Sequence, residues 1–172
     1  MDIRAESYSI ITNKNKIIMG FAISFMAMFL AMNLYRWRVS HIYNSRELSA
    51  SIFFLCFLIS RITSHFHYTL QKTKLTIDSQ NLWIKKSYEV PYKSIVGIFP
   101  YQPGLMDITK YRRTYRLHSA LDNRPIWTIA YTCEKDNGKI EDRRIYFKAD
   151  DNFIKCLKIQ LPNKIHANCN RH

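Results

Sequence analysis

Glycine is scarce in this chain: Gly20, Gly97, Gly104 and Gly138 are the four in 172 residues, and each stands alone. A Walker A loop and a G-x-G-x-x-G turn both need glycines at fixed short spacing to bring backbone against phosphate, so both patterns are excluded. Cysteine is equally sparse. Cys56, Cys133, Cys156 and Cys169 form no C-x-x-C pair, and Cys56 lies inside an apolar stretch. No disulfide framework is visible, and a reducing compartment is the simpler reading. Acidic residues are few, 13 Asp+Glu against 26 Lys+Arg, which leaves a net charge of +13.

Catalytic constellations are missing as well. Glu89 and Asp107 are lone acids, Asp150-Asp151 suits a helix cap, and Glu141-Asp142 stands beside Arg143-Arg144, where local ion pairing accounts for it. Ser119 follows His118, but neighbours on a strand point to opposite faces. Without a nucleophile beside a base or paired carboxylates on one face, the chain reads as non-enzymatic and without a cofactor. His166, Cys169 and His172 are regularly spaced near the chain end. A structural zinc needs four convergent ligands, and no fourth is at hand, so the reading is a flexible tail over 163–172 and no metal.

What the chain does have is a long apolar run. Ile17 to Tyr35 is nineteen residues without a charge, bounded by Lys16 and Arg36. As a helix it measures about 28 Å, close to the ~30 Å hydrocarbon core of a bilayer. Residues 1–16 read as a polar leader. A cleaved signal peptide starts similarly, but its apolar region is shorter and ends in small residues, so retention is expected. A second segment, Leu48 to Phe66, is uncharged except at Arg61, which can snorkel to the headgroups, but its uncharged part, Leu48 to Ser60, is thirteen residues, so it either spans or lies in the interface. Helices over about 17–35 and 48–66, joined by Arg36–Glu47, predict a transmembrane hairpin within 17–69. Tyr35, Trp37 and the His65–Tyr68 stretch suit its interfacial belts. Basic residues Arg4, Lys14, Lys16, Lys72, Lys74, Lys85 and Lys86 outnumber Arg36, Arg38 and Arg46 of the connection, which predicts both termini in the cytoplasm.

After Tyr68 the apolar runs give way to alternation. Leu75–Ile77 and Leu82–Ile84 flank Asp78–Asn81, predicting two strands about a turn. Val90–Tyr92 and Ile95–Ile98 follow, then a turn-rich loop, Pro100–Gly104. Tyr111–His118 and Ile126–Thr132 flank Leu121–Pro125, a second predicted hairpin. Asn137-Gly138, between Ile129–Glu134 and Arg143–Phe147, is the strongest hairpin signal in the chain. Asp150-Asp151 caps a predicted helix with Phe153, Ile154, Leu157 and Leu161 on one face, stopped by Pro162. The fold class is therefore a transmembrane hairpin followed, over 70–162, by a small mainly-β barrel or sandwich of six or seven strands closed by a C-terminal α-helix.

The order of two apolar helices, Tyr68-Thr-Leu-Gln-Lys-Thr-Lys-Leu75-Thr-Ile77, Val90-Pro91-Tyr92-Lys93-Ser94-Ile95 and a closing helix resembles the bacterial pleckstrin-homology-like membrane proteins. The resemblance spans roughly Ile17 to Leu161 and is mostly architectural. Ser79-Gln80-Asn81 stands where the family commonly has a turn glycine, and the loop from Pro100 to Tyr111 is longer than usual. The resemblance implies a seven-stranded pleckstrin-homology-like barrel plugged at one end by the helix, in a protein of the bacterial inner membrane. It implies no particular ligand, because one fold hosts many.

From Gln71 onward the chain holds 19 Lys+Arg against 10 Asp+Glu. Such a domain attracts polyanions, and a membrane tether favours anionic lipid headgroups over nucleic acid. Lys85-Lys86 and the run Lys110-Tyr-Arg112-Arg113-Thr-Tyr-Arg116 are the candidate headgroup-binding residues. Guanidinium groups bind phosphate bidentately, although charged outer faces of strands look the same in sequence. The expected partners are the lipid bilayer, anionic lipids, and a protein partner or a second copy added at a strand edge. Two alternatives from other classes stay open: a small immunity or exclusion protein, neutralising a toxin in the bilayer through Met26, Met28, Met32 and the Arg36–Glu47 connection, and an enzyme of membrane lipids, which turnover of a lipid by the purified protein would reveal.

Overall fold

The computed structural model describes residues 5–41, 44–82, 84–101, 113–134 and 138–165. The apolar run forms α1 (Asn13–Ser40), longer at both ends than the charge-free stretch, and His41 terminates it in the left-handed region at φ 51°. No residue of α1 is buried. Its length and composition are those of a membrane span, and it is the one such helix among the described residues. The second apolar segment is shorter than expected. It forms α2 (Ser45–Ile62), whose start is capped by the Asn44 side chain accepting the Glu47 N–H. With Arg46, Glu47 and Arg61 in its 18 residues, α2 lacks the uniform apolarity of a span, so two spanning helices reduce to one candidate. α1 and α2 pack against each other.

Strand β1 (Ala5–Tyr8) lies before the helices, inside the stretch read as a polar leader. It pairs antiparallel with β2 (His65–Leu70), which follows them. His65 and Phe66, expected at the end of a helix, are therefore in a strand. β3 (Lys74–Gln80) and β4 (Lys85–Pro91) complete an antiparallel sheet in the order β1-β2-β3-β4. The expected turn at Asp78–Asn81 is displaced. β3 keeps its pairing through Asp78↔Ser87, Ser79↔Lys86 and Gln80↔Lys85, so Leu82 and Ile84 fall at the turn and not in a strand. Polar Asp78 and Gln80 are acceptable there because the outer face of this sheet is solvated, where polarity is no turn signal.

The segment Val90–Ile95 is the corner between the sheets. Pro91 ends β4, a single 3-10 turn covers Tyr92–Ser94, and β5 (Ile95–Pro100) opens the second sheet. The buried Tyr92 donates its hydroxyl to Gln71 O at 2.5 Å, and Lys164 Nζ reaches Tyr92 O and Ile95 O at 2.8 and 2.6 Å. The corner is thus stapled from both sides.

The second sheet has the order β5-β7-β8-β6, with β6 (Arg113–Arg116), β7 (Trp127–Glu134) and β8 (Ile140–Phe147). Here the hairpin expected about Leu121–Pro125 does not form: β6 runs parallel to β8 and does not pair with β7. A parallel pair needs the chain to return between its two strands: β7 makes that return, and Leu117–Ile126 steps past β8 to reach it. The Asn-Gly hairpin does form, since β7 and β8 pair antiparallel and Gly138 takes φ +71°. Among the described residues no ladder joins β4 to β5 or β1 to β6, so the strands make two four-stranded sheets and not a closed barrel.

α3 (Asp151–Gln160) closes the sandwich. Asp150 caps it by accepting the Phe153 N–H at 2.8 Å, and Pro162 opens a 3-10 turn beyond it. Phe153, Ile154, Leu157 and Leu161 join Tyr68, Leu70, Leu75, Ile77, Ile98, Ile129, Ile145 and Phe147 in one core. Each such side chain contributes about 1.5–3 kcal/mol by leaving water. The ring of Tyr68 sits 5.8 Å from Phe147 and 6.2 Å from Phe153, and its hydroxyl donates to Leu117 O at 2.8 Å. Burial pushes that phenol well above its ordinary pKa. Past the helix, Ile165 pairs in parallel with Ile98 on the free edge of β5.

Candidate functional site

The roots of the helices are fixed to the sheets by two polar clusters. On the α1 side, Asp122 is buried in the Leu117–Ile126 crossing. Arg124 grips its carboxylate through Nε at 3.0 Å and an Nη at 2.6 Å, and reaches on to Tyr8 O at 2.6 Å. The Ile10 N–H donates to the same carboxylate at 3.2 Å, and Asn15, in the first turn of α1, donates to Leu121 O at 2.7 Å. Lys148 Nζ donates to Asp122 O. Burial acts to raise the Asp122 carboxyl, but the hydrogen bonds from Arg124 and Ile10 outweigh it and hold the group below its ordinary value. Burial likewise lowers the Lys148 ammonium.

On the α2 side the anchor is Asn81. Its Nδ2 donates to Ser60 Oγ at 3.0 Å, and its Oδ1 accepts from Thr63 Oγ1 at 3.3 Å. Asn81 and Ile84 exchange backbone hydrogen bonds of 2.9 and 3.3 Å, closing a tight turn that starts at Leu82. Leu82 is 49% and Ile84 54% exposed.

The candidate basic residues divide between the sheets. Lys85 and Lys86 open β4, directly after this turn, and both are exposed. Arg113 and Arg116 lie on β6, the edge of the other sheet. The two edges meet through Tyr88 and Tyr115, whose rings are 5.6 Å apart, so the strands that carry the two basic pairs are neighbours, while within each pair the alternation of a strand sends the two side chains to opposite faces. Arg113 also faces Glu141 at 3.7 Å, a buried carboxylate that Arg143 holds at 2.8 Å. Arg116 makes no ion pair among the described residues. Lys110 and Arg112, with His166, Cys169 and His172 of the tail, lie outside the described residues.

A cleft of about 290 Å³ opens on the outer face of the first sheet, lined by Tyr8, His65, His67, Asp78, Gln80 and Lys85 among others. His65 and His67 share a face because they alternate on a strand. His67 stacks on Tyr8 at 4.2 Å and approaches Glu6 at 3.4 Å. Among the described residues no three His, Cys, Asp or Glu side chains converge as a metal site would need.

Sequence reasoning missed the Asp122–Arg124–Asn15 cluster, whose members are over a hundred residues apart in part. It also missed the apolar turn, although Leu82-Trp83-Ile84 directly before two lysines was a signal. Comparison with protein-family models, curated proteins and solved structures finds no match to this chain.

Proposed function

We propose that this is a non-enzymatic membrane protein whose mainly-β domain works at the bilayer surface, binding anionic lipid headgroups through Lys85, Lys86, Arg113 and Arg116. α1 carries this reading: a 28-residue helix with a nineteen-residue uncharged stretch and none of its residues buried has no protein core to occupy, and a bilayer satisfies it. Both polar clusters support it by holding the domain against the helix roots. We place the protein in a bacterial inner membrane as a two-helix hairpin, α2 completing the return with Arg61 snorkelling, its guanidinium 5.0 Å from the Phe57 ring. The excess of flanking Lys and Arg supports a reading with the termini and the domain on the cytoplasmic side. The family resemblance implies a seven-stranded barrel plugged by the helix; the mainly-β domain and its closing α3 support that reading, while the two open four-stranded sheets depart from it. A protein partner or second copy added along β4 or β6 is a further use of the same edges.

The test uses the full chain in bilayer nanodiscs, with anionic lipid retained on the protein read by native mass spectrometry. Retention that exceeds that of neutral lipid, and falls with added salt and with Lys85→Glu/Lys86→Glu/Arg116→Glu, is the expected result. Equal retention of both lipids, unchanged by the triple variant, would overturn headgroup binding.

A further inference from the structure

We infer that the β3–β4 turn is a membrane-inserting wedge: Leu82 and Ile84 enter the bilayer interface beside α2, and Lys85 and Lys86 hold the anionic headgroups above them. The inference rests on the membrane reading of α1 and adds a third point of contact to it.

Three observations converge. The first is level. α1 is 28 residues and α2 is 18, or about 42 Å and about 27 Å at the α-helical rise. Only four residues join them, and the helices pack together, so α2 ends about 15 Å short of the start of α1. Its last turn therefore stands beside residues of α1 in the low twenties, within the charge-free run from Ile17 to Tyr35. Asn81 ties the β3–β4 turn to that same last turn, through Ser60 and Thr63. The turn thus sits at the depth of apolar α1 and not at the depth of Lys14 and Lys16.

The second is composition. Tight two-residue hairpin turns favour Asn, Asp and Gly, which meet water without cost and accept positive φ. The sequence of the five-residue β7–β8 connection, 135–139, carries such residues in Asn137-Gly138. The β3–β4 turn instead presents Leu82 and Ile84, both about half exposed, and the sequence puts Trp83 between them. An apolar turn is costly against water and favourable in an interface.

The third is charge. Lys85 and Lys86 follow at once, exposed and without an ion pair among the described residues. An apolar tip backed by lysines is the arrangement an anionic leaflet accepts, since the stems lie in the apolar zone and the ammonium groups reach the phosphates.

The test places a single tryptophan in the full chain, with Trp37, Trp83 and Trp127 each changed to Phe. One protein carries Ile84→Trp, a second carries Phe25→Trp in α1. Both are reconstituted into vesicles of mixed phosphatidylcholine and phosphatidylglycerol, with and without lipid brominated near the top of the acyl chain. The wedge requires that both reporters lose emission to brominated lipid and resist aqueous acrylamide. Loss at Phe25→Trp with none at Ile84→Trp overturns the wedge and leaves the anchor standing. No loss at either overturns both. An Ile84→Trp reporter shielded from acrylamide yet unaffected by brominated lipid places protein, and not bilayer, on the turn and also overturns the proposal.

Discussion

Ser9 and Phe66 stand side by side although the whole helical hairpin separates them in sequence: the Ser9 N–H donates to Phe66 O at 2.8 Å, and the Phe66 N–H donates to Ser9 Oγ at 3.0 Å. The helices are therefore an excursion between two paired strands, and not an appendage to one end of the domain.

It follows that residues 12–63 can be replaced by a short Asn-Gly-containing turn. The resulting chain retains β1, the core and the Asp122–Arg124 cluster, and should be a water-soluble monomer with a cooperative thermal transition. Deleting residues 1–12 instead removes β1 and should broaden or abolish that transition. Circular dichroism melts of the two proteins check both outcomes.

Asp122→Asn removes the charge that Arg124 and Ile10 share. Breaking such a buried pair costs about 3–5 kcal/mol, so a large fall in the denaturation midpoint is expected. The pH dependence has a definite sign. A carboxyl held below its ordinary value of 3.8 contributes its full stability above that pH and loses it as pH falls through the folded-state value. Acid titration from pH 5 downward should therefore destabilise the protein bearing Asp122 more than the Asn variant. Chemical denaturation at several pH values measures this difference.

Gly138 takes φ +71°, and a Cβ added there meets no other atom within 4 Å. The whole penalty of Gly138→Ala is thus conformational, about 1 kcal/mol, and Gly138→Asn should recover part of it because Asn tolerates this region. Equal melting temperatures for the Ala and Asn variants would contradict the assignment.

Arg113 and Arg116 should not contribute equally to anionic-lipid retention. Arg113 spends part of its field on Glu141, whereas Arg116 has no such partner among the described residues. Arg116→Ala should weaken retention by about fivefold, the equivalent of about 1 kcal/mol per surface charge, and Arg113→Ala by less. Native mass spectrometry of the two variants ranks them.

Signals confined to a few neighbouring residues were readable. The uncharged run in α1, the Asp150 cap, the Asn137-Gly138 hairpin and the apolar face of α3 each need only local chemistry. What the sequence hides depends on distant partners. β1 is four residues long and gains its strand character from β2, 57 residues or more further on. β6 looks like the first arm of a hairpin until β8 supplies a parallel neighbour on its other side. The β3–β4 turn was misplaced because Asp78 and Gln80 resemble turn formers wherever a strand face meets water. The clamp on α1 was invisible for the same reason: Asn15, Asp122 and Lys148 acquire meaning only when three separate segments meet.

The position of β1 also sets an order in time. It is synthesised before its partner strand, which does not exist until both helices have been made. The core strands β2, β3 and β4 are local to one another and can pair early, while β1 must close a loop of more than fifty residues to reach Thr69 and His67. Its docking brings Tyr8 and Ile10 to Arg124 and Asp122, so a strand that pairs only across that long loop is also the one that fastens the domain to the root of α1.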